Sequence, residues 1–475
     1  MAKPKGPPVP AVAEAVADGL AAAISALAAV PPAGARDLPV LLGVNKDGTY
    51  SVPFETARHR FEDIAEPSGR VYRFGSDVVF ETRAGGGPGL LTIQAGTDLV
   101  RGAPTALANL LLCQVPGKGE PVQFTIPPTP LAAFLAADAA ASRLPRINLY
   151  ARRPVFGPDY VLLGPGFHPE TGVLVHGPAV EPVLDTPPGP TPLDRLPATK
   201  KLLGEFCFAE PADLANTLAA LVTGLLSSHY ADGSKPVLVV DGNQPGVGKS
   251  LLVRLIGVLL DGADPDPIVY TPDQDELAKR VCATLRSNGQ SVLPFDNAKS
   301  TGGGAVSSSV IEGNSTAPVI SLRVLGSSQN YRRPNDVIWA ITMNQSRLSP
   351  DLVTRSLPVR LAYAGDAGAR SFAGPGDPVG FAREHRLDIL GELAGLVVRW
   401  NQAGRPAGGR THRFHAWAKT VGGILEYSGF TDFLANAQAA AAAFDADLNE
   451  LAELFDAVLA DAHGPWAEVS SLEYL

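Results

Sequence analysis

Residues 237–250 read VLVVDGNQPGVGKS: an apolar run, a glycine-bearing turn and a Lys-Ser pair opening a second apolar run. That order suits a phosphate cradle. Backbone N–H groups of the turn and the N-terminus of the following helix would face an anion. Lys249 would reach the β and γ oxygens of a nucleoside triphosphate, and Ser250 would ligate Mg²⁺. The usual spacing is G-x-x-x-x-G-K-[ST]. Counting back from Gly248 lands on Asn243, with a glycine one place earlier at Gly242. Asn is the non-glycine residue that best tolerates positive φ, so Asn243 is expected to take the turn built for glycine. The expected nucleotide contacts are then Asn243, Gln244, Pro245, Gly246, Val247, Gly248, Lys249 and Ser250.

Further along, SVLPFDN is an apolar strand ending in Asp296. An acid there holds Mg²⁺ through water in P-loop ATPases; the plainer alternative is a strand-end cap. Asn297 stands where many ATPases carry the glutamate that activates water, which leaves the general base open. Glu276, in DQDELAKR, is a candidate base, against its reading as a solvated first-turn acid favoured by the helix dipole. Asn344 ends the strand VIWAITM, placed to orient water against a γ-phosphate. SPDLVTR then begins a short helix with Ser349 as cap. Arg355 on that helix would stabilise transition-state charge, in its own or a neighbouring subunit's site, or form a surface salt bridge. ATP and Mg²⁺ are the cofactors this set implies.

The elements around these residues follow a parallel α/β pattern. VLVVD, SLLVRLIGVLLDG, PIVYT, DQDELAKRVCATLRSNG and SVLPFD alternate strand and helix. FAEPADLANTLAALVTGLLSSHY leads in with apolar residues at helical spacing. Beyond Ala362 the pattern is helical, with Trp400 and Trp417 at packing positions. Residues 38–126 instead show short β-like runs broken by Gly and Pro, with PTALANLLLCQV and TPLAAFLAADAAASRLP as helices. The segment 147–177 is again strand and turn. The expected division is a low-complexity segment 1–37, a β-rich α+β accessory domain 38–180, a Pro-rich linker 181–197, a P-loop core 198–362 and a helical domain 363–475.

The 475 residues suffice for two to four domains. Apolar residues at 45% and charged residues at 18% describe a globular chain. A net charge of −9 excludes a uniformly basic coat but not a local basic channel. Three dispersed cysteines suit a reducing compartment, here the cytoplasm, rather than a disulfide framework. No run is long and apolar enough to span a membrane, so no membrane partner is expected. The apolar patch AVADGLAAAISALAAV contains Asp18 and lacks a compact basic start, unlike a secretory signal. His412 and His415 lie three apart, yet no Cys or acid partner completes a zinc set, so packing or capping is the better reading.

Taken in order, NQPGVGKS, DELAKR, VLPFDN, a hairpin with RVLG and TMNQSRLSPDLVTRSLPVRL resemble the AAA+/superfamily-3-like helicase ATPases of phage and integrative-element primase-helicases. That family shows T-G-N-N…L-S-x-D-L-x-R-R…P-I-R-L; here Met343 replaces Gly, Gln345 the second Asn and Ser356 the second Arg. The likeness covers roughly residues 125–440. It implies an AAA+-type core with a five-stranded parallel sheet and a β-hairpin before the sensor strand. It also implies a homo-oligomeric, hexamer-like ring, with ATP between subunits and Arg323 or Arg355 reaching a neighbour's site. The hairpin, carrying Tyr331, Arg332 and Arg333, would grip single-stranded DNA by phosphate contact and stacking; a solvated basic turn is the alternative. The C-terminus is expected to stop where a winged-helix module would begin. Asp47, Asp63 and Asp77 form no D-x-D set, so the N-terminal part reads as an accessory or DNA-engaging domain, not a primase. The function implied is an ATP-driven DNA helicase or translocase, with a weakly hydrolysing assembly switch as the alternative.

Overall fold

In the computed structural model the described residues are 143–444, apart from 289, 300–304, 326–329, 345–346 and 375, together with positions 56, 59, 62 and 63 and six short strands between 40 and 124. The chain divides into two compact units, Met1–Arg146 and Ile147–Leu475. Segment 1–37, most of the helix expected over 129–145, and everything after 444 lie outside the described residues.

In the first unit, Val71–Phe74, Asp77–Glu81 and Leu90–Ile93 form an antiparallel meander. Val40–Gly43 pairs parallel to Leu112–Val115, which pairs antiparallel to Val122–Phe124. The end of the stretch expected to be helical, LCQV, is therefore a strand. Its apolar run is too short for periodicity to separate a buried helix from a buried strand, and pairing on both sides decides it.

The second unit begins earlier than the sequence division placed it. Strands Leu149–Ala151, Gly166–His168 and Val173–Val175 share one small sheet, and Arg153 ties this segment down. Its buried guanidinium donates to the Gly224 carbonyl (2.7 Å), Ser291 Oγ (2.5 Å) and Ser227 Oγ (3.0 Å). The proline-rich stretch is held too: Val183 N–H donates to the Gly391 carbonyl (2.9 Å), and Arg399 donates back to the Val183 carbonyl (2.6 Å). A Cβ at Gly395 would come within 2.0 Å of that carbonyl, so only glycine admits the peptide.

Helices α1 (Pro197–Leu203) and α2 (Pro211–Leu225) then lead to the main sheet. This comprises β1 (Val237–Gly242), α3 (Lys249–Asp261), β2 (Ile268–Val269), α4 (Gln274–Asn288) and β3 (Val292–Ala298). Next come α5 (Ser309–Thr316), the hairpin β4 (Val319–Arg323) and β5 (Asn330–Pro334), then β6 (Ile338–Met343), α6 (Pro350–Arg355) and β7 (Ser356–Leu361). The five-stranded sheet has the order β2-β3-β6-β1-β7, and every pair is parallel. The hairpin stands outside it as a separate antiparallel pair.

Both faces of the sheet are covered, which is why β1 reads as an unbroken apolar run. Strand alternation sends Leu238 and Val240 into a core with α2, α3 and the C-terminal helices, and Val237 and Val239 into a second core with α4 and the hairpin. The helices α7 (Pro378–Glu384), α8 (Arg386–Gln402) and α9 (His415–Tyr427) share the first of these cores. Trp417 is fully buried there, donating to Thr223 Oγ1 at 2.8 Å. No helix among the described residues is long and apolar enough to cross a membrane.

Candidate functional site

The ends of β1, β3 and β6 all open on the same edge of the sheet, as parallel strands must, and the turn after β1 lies beside them. Gly246 and Gly248 take left-handed backbone conformations (φ +83° and +104°), and α3 starts at Lys249. Asn243 does not have positive φ. Its amide instead clasps the backbone of Tyr363, Nδ2 donating to the carbonyl (2.9 Å) and Oδ1 accepting the N–H (3.2 Å). The glycine requirement has moved one place back. A Cβ at Gly242 would meet Val247 Cγ2 at 2.6 Å and Lys249 Cδ at 3.0 Å, so its absence makes room for the lysine to fold over the strand end. Gln244 adds bonds to the carbonyls of Tyr363 (2.8 Å) and Gly365 (2.9 Å). Val247 is buried and Pro245 exposed.

Four expected residues come together here. Lys249 Nζ donates to Asn344 Oδ1 (2.5 Å) and the Gln244 carbonyl (3.2 Å). Ser250 Oγ donates to Asp296 Oδ1 at 2.6 Å. Burial pulls the Lys249 pKa below the usual lysine value, against the opposing charges of Asp241 and Asp296. Asp296 Oδ2 accepts no hydrogen bond among the described residues. A hydroxyl and a carboxylate with an oxygen to spare form a hard-oxygen donor set, which fits Mg²⁺.

Sequence reasoning passed over Thr342, buried on β6, whose Oγ1 bonds both Asp296 Oδ1 (2.8 Å) and the Asn297 N–H (2.9 Å). The signal was present, because the threonine opens the T-M-N run whose Asn was singled out. It also passed over a cluster flanking the loop. The Arg370 guanidinium lies over the rings of Tyr363 (5.4 Å) and Phe372 (5.2 Å) and donates to Cys207 Sγ at 3.2 Å. Phe206 packs beside Gly248.

Other expected residues are placed differently. Glu276 accepts from Arg280 (3.0 Å) and lies 3.9 Å from Lys279, both on its own helix, so it stands as a first-turn acid rather than at the loop. Arg355 is turned inward. Its guanidinium pairs with Asp351 (2.5 Å) and the Glu312 carbonyl, leaving the side chain 11% exposed rather than offered to a neighbour. The trio Tyr331, Arg332 and Arg333 does not share a face. Strand alternation buries Tyr331 and Arg333 and exposes Arg332. Arg333 is clamped by Asp336 through two bonds (2.7 and 2.9 Å), and Tyr331 donates to the Leu285 carbonyl (3.4 Å). Register pairs Ser321 with Arg332 and Arg323 with Asn330, so the exposed cations Arg323 and Arg332 sit diagonally on one face. Gln345 lies outside the described residues. His412 Nε2 donates to the Ser356 carbonyl (3.1 Å), with its ring against Phe414 and Trp417.

No family model matches the chain, and no curated protein does either. Among solved structures it is similar to the apo C-terminal region of NrS-1, at 10% identity and a TM-score of 0.37, over 87% of this chain and 84% of that one. It is also similar to the JCV helicase solved with a thiazolopyridine compound, at 14% identity and a TM-score of 0.25, over 48% of this chain and 65% of that one. Likenesses this distant carry no argument about what the chain does.

Proposed function

We propose that the chain binds ATP with Mg²⁺ on residues 243–250 and hydrolyses it, as a ring-forming DNA helicase or translocase of a phage or mobile element. The reading rests on one observation above the rest: Lys249 and Ser250, at one helix start, bond to Asn344 and Asp296, at two strand ends. Ser250 and Asp296 would hold the Mg²⁺, which neutralises charge on the transferred phosphoryl group. Lys249, now on the Asn344 amide and the Gln244 carbonyl, is in place to exchange those dipoles for phosphate oxygens. Asn344, released by the lysine, would orient the attacking water. The strand order supports the reading, since β6 lies between the strand bearing Asp296 and the strand feeding the loop. Arg323 and Arg332 on the hairpin supply the contact to single-stranded DNA.

A second reading, an ATP-binding assembly switch with weak hydrolysis, is favoured by the same structure. Asn297 offers no carboxylate beside Asp296, Glu276 is engaged elsewhere, and Arg355 is held inside. ATP turnover with and without single-stranded DNA, beside Lys249→Ala, separates the two. DNA-stimulated turnover lost in the variant is the expected result; tight ATP binding without turnover in either condition would leave only the switch.

A further inference from the structure

We propose that Thr342 is a positioning residue for the divalent cation of the site, acting through the carboxylate of Asp296; this rests on the ATP reading above. β3 and β6 pair in register as far as Phe295 with Ile341, and again at Ala298 with Met343. Two residues on β3 thus fill the space of one on β6, and the extra residue is a bulge. Asn297 takes it up with φ +53°, a left-handed backbone at the strand end that bears Asp296. The Asn297 N–H is caught by Thr342 Oγ1 at 2.9 Å, and the same oxygen lies 2.8 Å from Asp296 Oδ1.

Proton accounting fixes the direction of both bonds. A hydroxyl has one proton and two lone pairs. It accepts the backbone N–H, so its proton goes to the carboxylate. Ser250 directs its own proton to the same oxygen at 2.6 Å. Were the Ser250 hydroxyl to turn a lone pair toward a cation, the bond from Thr342 would remain to hold Asp296 by Oδ1, leaving Oδ2 available to the ion. Thr342 is 2% exposed, so it cannot touch a ligand and must work through Asp296. Groups that orient a metal ligand in this way contribute about 10–100-fold in metal affinity.

The test uses the full chain and a fluorescent N-methylanthraniloyl ATP analogue, titrated in EDTA and then with MgCl₂. Wild type is expected to bind in EDTA and to tighten with Mg²⁺. Thr342→Val keeps the shape and removes the hydroxyl. It should raise the Mg²⁺ concentration for half-maximal tightening about tenfold or more, with EDTA affinity unchanged. Thr342→Ser should restore the wild-type value. An unchanged Mg²⁺ midpoint in Thr342→Val overturns the inference, as does an equal loss of affinity in EDTA, which would mark general damage. Should Thr342→Val fail to fold, Thr342→Ala against Thr342→Ser gives the same contrast, and equal Mg²⁺ midpoints in that pair overturn it. A wild type that binds no nucleotide overturns the ATP reading and the inference with it. A wild type that tightens with Mg²⁺ while Thr342→Val tightens identically overturns the inference alone.

Discussion

The strand-end cluster and the hairpin carry comparable sets of polar residues, but the fold treats them in opposite ways. At the loop, residues far apart in sequence converge, because parallel strands deliver their ends to one edge whichever face each side chain occupies. On the hairpin, three consecutive residues that look like one surface are separated, because successive side chains on a strand point to opposite sides. Adjacency in sequence thus misleads on a strand, while distance in sequence is no obstacle at a parallel sheet edge.

Variants can break or sharpen that contrast. The largest expected effect falls on stability at the hairpin. Arg333→Ala strips Asp336 of a buried partner and should cost about 3–5 kcal/mol in denaturant unfolding. An Arg333 that served DNA instead would leave the midpoint unmoved. Lys249→Ala comes next, with turnover down about 100- to 1000-fold and the fold retained; residual activity near wild type would dissolve the site. Gly242→Ala should cost about 1–3 kcal/mol by crowding Val247 and Lys249, read as a lower melting temperature with weakened nucleotide binding. Arg332→Ala is the mildest. It should leave the melting temperature unchanged and lower the salt slope of single-stranded DNA binding by about 0.7. A salt slope matching wild type would remove the hairpin face from the interface.

Much of the fold was readable because its signals are local. The apolar run of β1, the Ser349 cap accepting the Leu352 N–H on its hydroxyl oxygen, and the hairpin between β3 and β6 all appear where their residues predict. Side-chain direction was harder to read. Positive φ was expected at Asn243 and occurs at Asn297, because the bulge arises from the pairing of β3 with β6, two segments far apart in the chain. Arg355 and Arg333 looked like surface groups because their acids, Asp351 and Asp336, are ordinary i,i+4 and i,i+3 neighbours in the sequence. What buries the two guanidinium groups is packing by other elements, which no local pattern records. Thr342 was overlooked for a related reason: its two partners lie on a neighbouring strand.

The glycine notches of α8 govern how the molecule can be taken apart. Gly391 and Gly395 give up helix propensity so that the peptide around Val183 can lie in contact with the helix, and Arg399 fastens it there. A fragment cut at residue 198, where the sequence suggests a clean border, would lose this strap along with the Arg153 anchor. It would present an open seam of backbone and apolar side chains to water. The smallest portable piece of the second unit therefore starts near residue 147, and the proline-rich stretch is better regarded as a sewn hem than as a hinge.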